Sequence, residues 1–191
     1  GTWTQIGQDI DGENGLDQFG NSVALNADGS IVAIGARYND DTGGNAGHVR
    51  IYQNIGANWT QIGQDIDGEA SGDELGSSVS LSDDGSIVAI GAQYNDGNGS
   101  SSGHVRVYQN LAGTWTQIGQ DIDGDASNDQ FGHSVSLSSN GSIVAIGAIG
   151  NDGAGLDAGH VRIYQNVAGT WTQVGQDIDG EAAENKFGDS V

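Results

Sequence analysis

Carboxylates at alternate positions can converge on a cation. The chain carries the run Asp9-Ile10-Asp11-Gly12-Glu13, followed by Asp17. The same pattern returns as Asp65, Asp67, Glu69 and Asp73, and again as Asp121, Asp123, Asp125 and Asp129. A fourth copy holds Asp177, Asp179 and Glu181, with Asn185 at the last position and Glu184 beside it. Two like charges about 4 Å apart repel by about 1 kcal/mol even in water. A divalent ion relieves that repulsion, and Ca²⁺ takes about six to eight hard oxygens in irregular geometry. The pairs Asn39-Asp40, Asn95-Asp96 and Asn151-Asp152 supply further oxygens. The predicted cofactor is therefore Ca²⁺. Its predicted ligands are the first three acidic sets, with Asp40, Asp96 and Asp152. The competing reading is a solvated acidic face that holds no ion.

Other reactive residue types are sparse. His48, His104 and His160 each follow a glycine, one per repeat, too far apart to share a metal with one another. They are expected to be structural, hydrogen-bonded to a neighbouring loop. His133 stands outside the pattern. Arg50, Arg106 and Arg162 lie two residues further on and are expected to pair with acids or carbonyls within one repeat. The chain has no cysteine, so no disulfide supports it. It shows no glycine-rich phosphate loop and no Ser-His-Asp set, and nothing unique breaks the repeat as an active site would. A non-enzymatic protein is expected. With 26 acids against 5 bases and a net charge of −21, the field repels phosphate, which excludes nucleic acid as a partner. No apolar run is long enough for a membrane-spanning helix, so no membrane insertion is expected.

The acids are positioned by a repeat. Trp3, Trp59, Trp115 and Trp171 are spaced by 56 residues, and the three strand-opening histidines keep the same step. The eleven residues WTQIGQDIDGE from Trp3 return from Trp59, and with small changes from Trp115 and Trp171. A fixed period of this length signals a repeat architecture. Each period contains four strand signals. FGNSVALN, from Phe19 to Asn26, ends at the turn Ala27-Asp28-Gly29. SIVAIGA, from Ser30 to Ala36, is apolar or small on both faces, which marks a strand covered on both sides. HVRIYQN, from His48 to Asn54, alternates, and WTQIGQDI closes the unit. No stretch shows capped helical spacing.

The reading is all-β: β-propeller-type, four-stranded antiparallel blades repeated every 56 residues, three full blades plus partial ends. SIVAIGA is predicted to be internal and WTQIGQDI to form one continuous outer strand. The expected units are 1–18 (outer strand and loop of a preceding blade), 19–74, 75–130 and 131–186 (three blades), and 187–191 (the start of the next). The absence of methionine and the start within a repeat point to a segment of a longer polypeptide.

FGNSV, LGSSV, FGHSV and FGDSV, three of them followed by SIVAIGA, resemble the FG-GAP repeat, the blade motif of integrin α-subunit propellers and many bacterial surface proteins. The resemblance covers the whole chain. The family's proline after Gly-Ala is replaced by Arg37, Gln93 and Ile149. The links NADGS, SDDGS and SSNGS are too short for the family's calcium loop, so Asp28, Asp84 and Asn140 are read as hairpin turns.

In a four-stranded meander, the link after SIVAIGA and the link after WTQIGQDI emerge on the same edge. Of the 26 acids, 22 fall in those links, so one rim is strongly acidic. The tryptophans are expected to pack the outer strands rather than form sugar platforms. The acidic surface, the resemblance and the sequons at Asn58, Asn98 and Asn140 favour an extracellular or cell-surface location. The functional expectation is a structural or adhesive repeat protein, built into a filament or surface layer, with other copies or flanking repeats as partners. The alternative is a lectin- or integrin-type propeller with a glycan or cell-surface partner.

Overall fold

A computed structural model describes all residues, 1–191. The first sheet contains β1 (Phe19–Leu25), β2 (Ile31–Ala36), β3 (His48–Ile55), β4 (Asn58–Gln61) and β5 (Ile66–Asp67). The second contains β6 (Ser78–Leu81), β7 (Ile87–Ala92), β8 (His104–Leu111), β9 (Thr114–Gln117) and β10 (Ile122–Asp123). The third contains β11 (Phe131–Leu137), β12 (Ile143–Ala148), β13 (His160–Val167), β14 (Thr170–Gln173) and β15 (Ile178–Asp179). Every pairing within these sheets is antiparallel, and the chain contains no helix.

SIVAIGA is internal in each sheet, as its two apolar faces require. In the second sheet Val88 and Ile90 face the first sheet, while Ala89 on the opposite face joins the core with the third. The outer strand is not continuous, which corrects the reading of WTQIGQDI as one strand. β4 pairs with Tyr52–Ile55 of β3, and β5 pairs separately with His48 and Val49. Gly63 between them has a left-handed φ of 76°. The backbone leaves the ladder there because the next side chain, Gln64, bonds the following repeat.

Each core lies between two sheets. Val49, Ile51 and Ile66 of the first pack with Leu75, Val88, Ile90 and Trp115 of the second. Val105, Val107 and Ile122 pack likewise with Phe131, Val144, Ile146 and Trp171. Full burial of each such aliphatic side chain contributes about 1.5–3 kcal/mol, and a sheet obtains it only from its neighbour. The outward faces show the consequence. Leu25 is 59% exposed on the first sheet, whereas its counterpart Leu81 is 8% exposed.

The two long links do share one rim. Glu74 and Leu75 donate backbone N–H bonds to the carbonyls of Asn45 and Ala46, at 3.1 and 2.9 Å. At the opposite rim, Ala27 donates to Asp83 and Asp83 to Ser139, at 3.0 and 2.8 Å. Asp28, Asp84 and Asn140 accept from the N–H two residues on, at 2.8, 2.9 and 3.1 Å, which makes them turn residues as expected.

Candidate cation site on the acidic rim

The repeated motif is a set of joints between consecutive repeats. The Trp115 indole N–H donates to the carbonyl of Ile62, and Trp171 to that of Ile118, both at 2.8 Å. Gln64 donates from its amide to the Trp115 carbonyl at 2.9 Å and accepts from the Trp115 N–H at 3.3 Å. A Cβ at Gly63 would lie 2.8 Å from the Trp115 ring, so the glycine seats the indole. Trp115 and Trp171 are each 3% exposed. These two pack the outer strands, as expected, and are closed to a sugar ring, whereas Trp3 is fully exposed.

The acidic tail continues the same work. Arg106, on β8, donates to both oxygens of Asp121 at 3.0 and 2.7 Å, and also pairs with Glu69 from the preceding copy of the motif. Arg162 bonds Asp177 at 2.7 Å and Asp125 at 2.6 Å, while Arg50 bonds Asp65 at 2.9 Å and pairs with Glu13. The arginine thus pairs within its own repeat, as expected, and in addition reaches the preceding one, which joins the two. Gln117 adds a 2.6 Å bond to Asp121. Burial opposes the Asp121 carboxylate, yet the bonds from Arg106 and Gln117 outweigh it and hold its pKa below the usual range.

The motif's second aspartate has no such partner. Asp67 lies across from His48 in the ladder, and Asp123 across from His104. Burial, then the neighbouring Asp65 or Asp121, pushes these two carboxyls up. The histidines are nearly inaccessible, and burial followed by the adjacent arginine pushes all three down, His104 to about 4. The expected hydrogen bond to a neighbouring loop is not made by Nδ1 of His48 or by either ring nitrogen of His160. Instead Phe19 and Phe131 pack edge-on against the His48 and His160 rings.

The predicted ligands are dispersed rather than gathered loop by loop. Asp17, Asp73 and Asp129 are buried and accept from Asn39, Asn95 and Asn151 at 3.1, 3.0 and 3.2 Å. Asp40, Asp96 and Asp152 accept from backbone N–H groups five residues ahead, bracing their own loops. Asp9 accepts from Gln5 at 2.8 Å, and Asp11 is exposed. Ligand atoms do converge where repeats meet. Glu13, Asp41, His48 and Asp65 lie within 4.8 Å of one another, as do Glu69, His104 and Asp121, and His160, Asp177 and Asp179. These acidic clusters can hold a metal ion. Asp41 and the histidines were missed as ligands, because only the fold brings adjacent copies of the motif together.

The FG-GAP repeat family model matches residues 9–52, 65–108 and 115–164, well over half of the chain. No curated protein matches it. Among solved structures, a protein assigned as a 6-phosphogluconolactonase from Bacteroides uniformis superposes with a TM-score of 0.55 at 14% identity, covering 82% of this chain and 40% of that one. Hydrazine synthase of Kuenenia stuttgartiensis superposes with a TM-score of 0.54 at 10% identity, covering 92% and 41%. The chain thus spans about two fifths of the length of each. At these identities the likeness concerns the fold.

Proposed function

The chain belongs to the FG-GAP repeat family, and on that premise we propose that it is a non-enzymatic structural or adhesive repeat protein of the cell surface or exterior, with a cation-stabilised acidic rim. One observation carries this reading. Polar side chains of the 56-residue motif join one repeat to the next, from the tryptophan–glutamine bonds to the arginine clamps. Repetition that serves the joints suits a protein whose task is to extend and present a surface. The partners are other copies or flanking repeats of the same kind, which would cover the apolar outward faces. Calcium fits the rim through oxygens that no arginine engages, such as those of Asp11, Asp67 and Asp123, with Asp9, Asp40, Asp96 and their neighbours able to contribute.

Binding to the folded state alone raises stability by mass action. Millimolar Ca²⁺ is therefore expected to raise the melting temperature more than NaCl of equal ionic strength. An equal shift from both salts would reduce the rim to a solvated face.

The ligand-binding alternative has one observation in its favour. A groove recurs between sheets near the opposite rim, floored by Ile31 and Ile62 in one copy and by Ile87 and Ile118 in the next, with volumes of about 230 and 350 Å³. Its polar lining of Gln, Asn and Ser suits a glycan.

A further inference from the structure

The first joint carries a carboxylate that the other two lack. Asp41 stands where the later repeats have Gly97 and Gly153. Its Oδ2 lies 4.0 Å from Nδ1 of His48, and Oδ2 of Asp65 lies 4.0 Å from the same nitrogen. That nitrogen has no hydrogen-bond partner, and the His48 side chain is 1% exposed. The edge-on Phe19 ring, 6.4 Å from the imidazole centre, contributes to holding its orientation. A buried nitrogen left unbonded and facing two carboxylates is costly unless something sits between them.

We propose that this joint binds a divalent ion of the zinc class through His48 Nδ1 and carboxylate oxygens of Asp41, Asp65 and Glu13. The donor chemistry selects the ion. An imidazole nitrogen with carboxylate oxygens suits zinc-like metals, whereas calcium takes oxygen alone. Zinc bonds to nitrogen and oxygen are about 2.0–2.2 Å long, so tetrahedral binding draws the ligand atoms in to about 3.4 Å from one another, a closure that the exposed Asp41 and Glu13 side chains can supply. Charge favours it as well: Glu13, Asp41, Asp65 and Asp67 surround His48 with only the Arg50 guanidinium among them. Arg50 need not leave, because each carboxylate oxygen has two lone pairs. Glycine at positions 97 and 153 leaves the other two joints with three ligands each. The site draws Glu13 and Asp65 from the acidic rim, but its histidine nitrogen selects a different ion, so a failure of Zn²⁺ binding leaves the calcium reading standing.

The test is a titration of the metal-stripped chain with Zn²⁺, and with Co²⁺ as the spectroscopic probe. One site per chain should stand out above any weaker binding, and Mg²⁺ or Ca²⁺ should not displace the ion. Bound Co²⁺ should show visible d–d absorption. Asp41→Asn should weaken Zn²⁺ binding at least about ten-fold, and His48→Gln should abolish the Co²⁺ band, while His104→Gln should change neither. The Asp41 side chain is half exposed, so its variant keeps the fold even if the His48 variant does not. Zn²⁺ binding no tighter than that of Mg²⁺, or unchanged by Asp41→Asn, would overturn the proposal.

Discussion

At the scale of the residue, the buried histidines make stability depend on pH. His104 is held at about 4 by burial and then by Arg106, against an ordinary value of 6.5. Asp121 and Glu69 face it and oppose the shift, and Asp123 lies across the ladder. The folded pKa is below the unfolded one, so between pH 6.5 and 4 the unfolded chain binds more protons and stability falls as pH falls. The full effect is on the order of 3 kcal/mol for this one residue. His48 and His160 act in the same direction. The raised carboxyls of Asp67 and Asp123 act oppositely, gaining stability as pH falls through their folded pKa. Denaturant unfolding at pH 7 and pH 5 should show the loss, and His104→Gln should reduce it. An equal slope in the variant would mean that the histidine is not the sensor.

At the scale of the element, the joint between sheets depends on one backbone approach. The serine of each FGxSV run donates to the carbonyl of the next repeat's FG glycine, at 2.7 Å from Ser78 to Gly132. Gly91 of the internal strand lies directly against that carbonyl, and a Cβ there would come within 2.0 Å of it. The atom in the way is backbone of the neighbouring sheet, so a methyl group can fit only if the sheets part. Gly91→Ala should therefore cost several kcal/mol, as overpacked cores do at about 1–3 or more. Gly29→Ala, in a left-handed turn with open space around it, should cost only about 1 kcal/mol. Urea midpoints compare the two, and equal losses would mean that the sheets are not held this closely.

At the scale of the whole molecule, the outward faces repeat surfaces that are buried elsewhere. Val23 and Leu25 on the first sheet are exposed, while Leu81 and Val135 at equivalent positions are covered. The last sheet exposes Ile143 and Ile178, while Ile122 is covered. If one face serves as the partner of the other, copies should stack head to tail through a heterologous contact. The net charge of −21 opposes this at low salt. Sedimentation at micromolar concentration should show association that grows with ionic strength, and Leu25→Glu should abolish it. A monomer at every salt concentration would sink the idea.

The sequence alone determined the period, the strand classes, the internal position of SIVAIGA and the acidic rim. Those features are written in local alternation and in a gapless register, which a linear reading can follow. Turn residues such as Asp28 and Asp84 were equally legible, because their bonds close within a few residues. The division of labour among the carboxylates emerges only when the sheets pack. Asp65 belongs to an arginine 15 residues away, whereas Glu69 reaches Arg106 across the boundary between repeats. The same packing breaks the outer strand, since Gln64 leaves the ladder for a backbone 51 residues on. The contacts of Glu69 and Gln64 cross from one repeat to the next. Their chemistry is present in every copy, but the partner is supplied by how two sheets stack, and that geometry has no local signature in the chain.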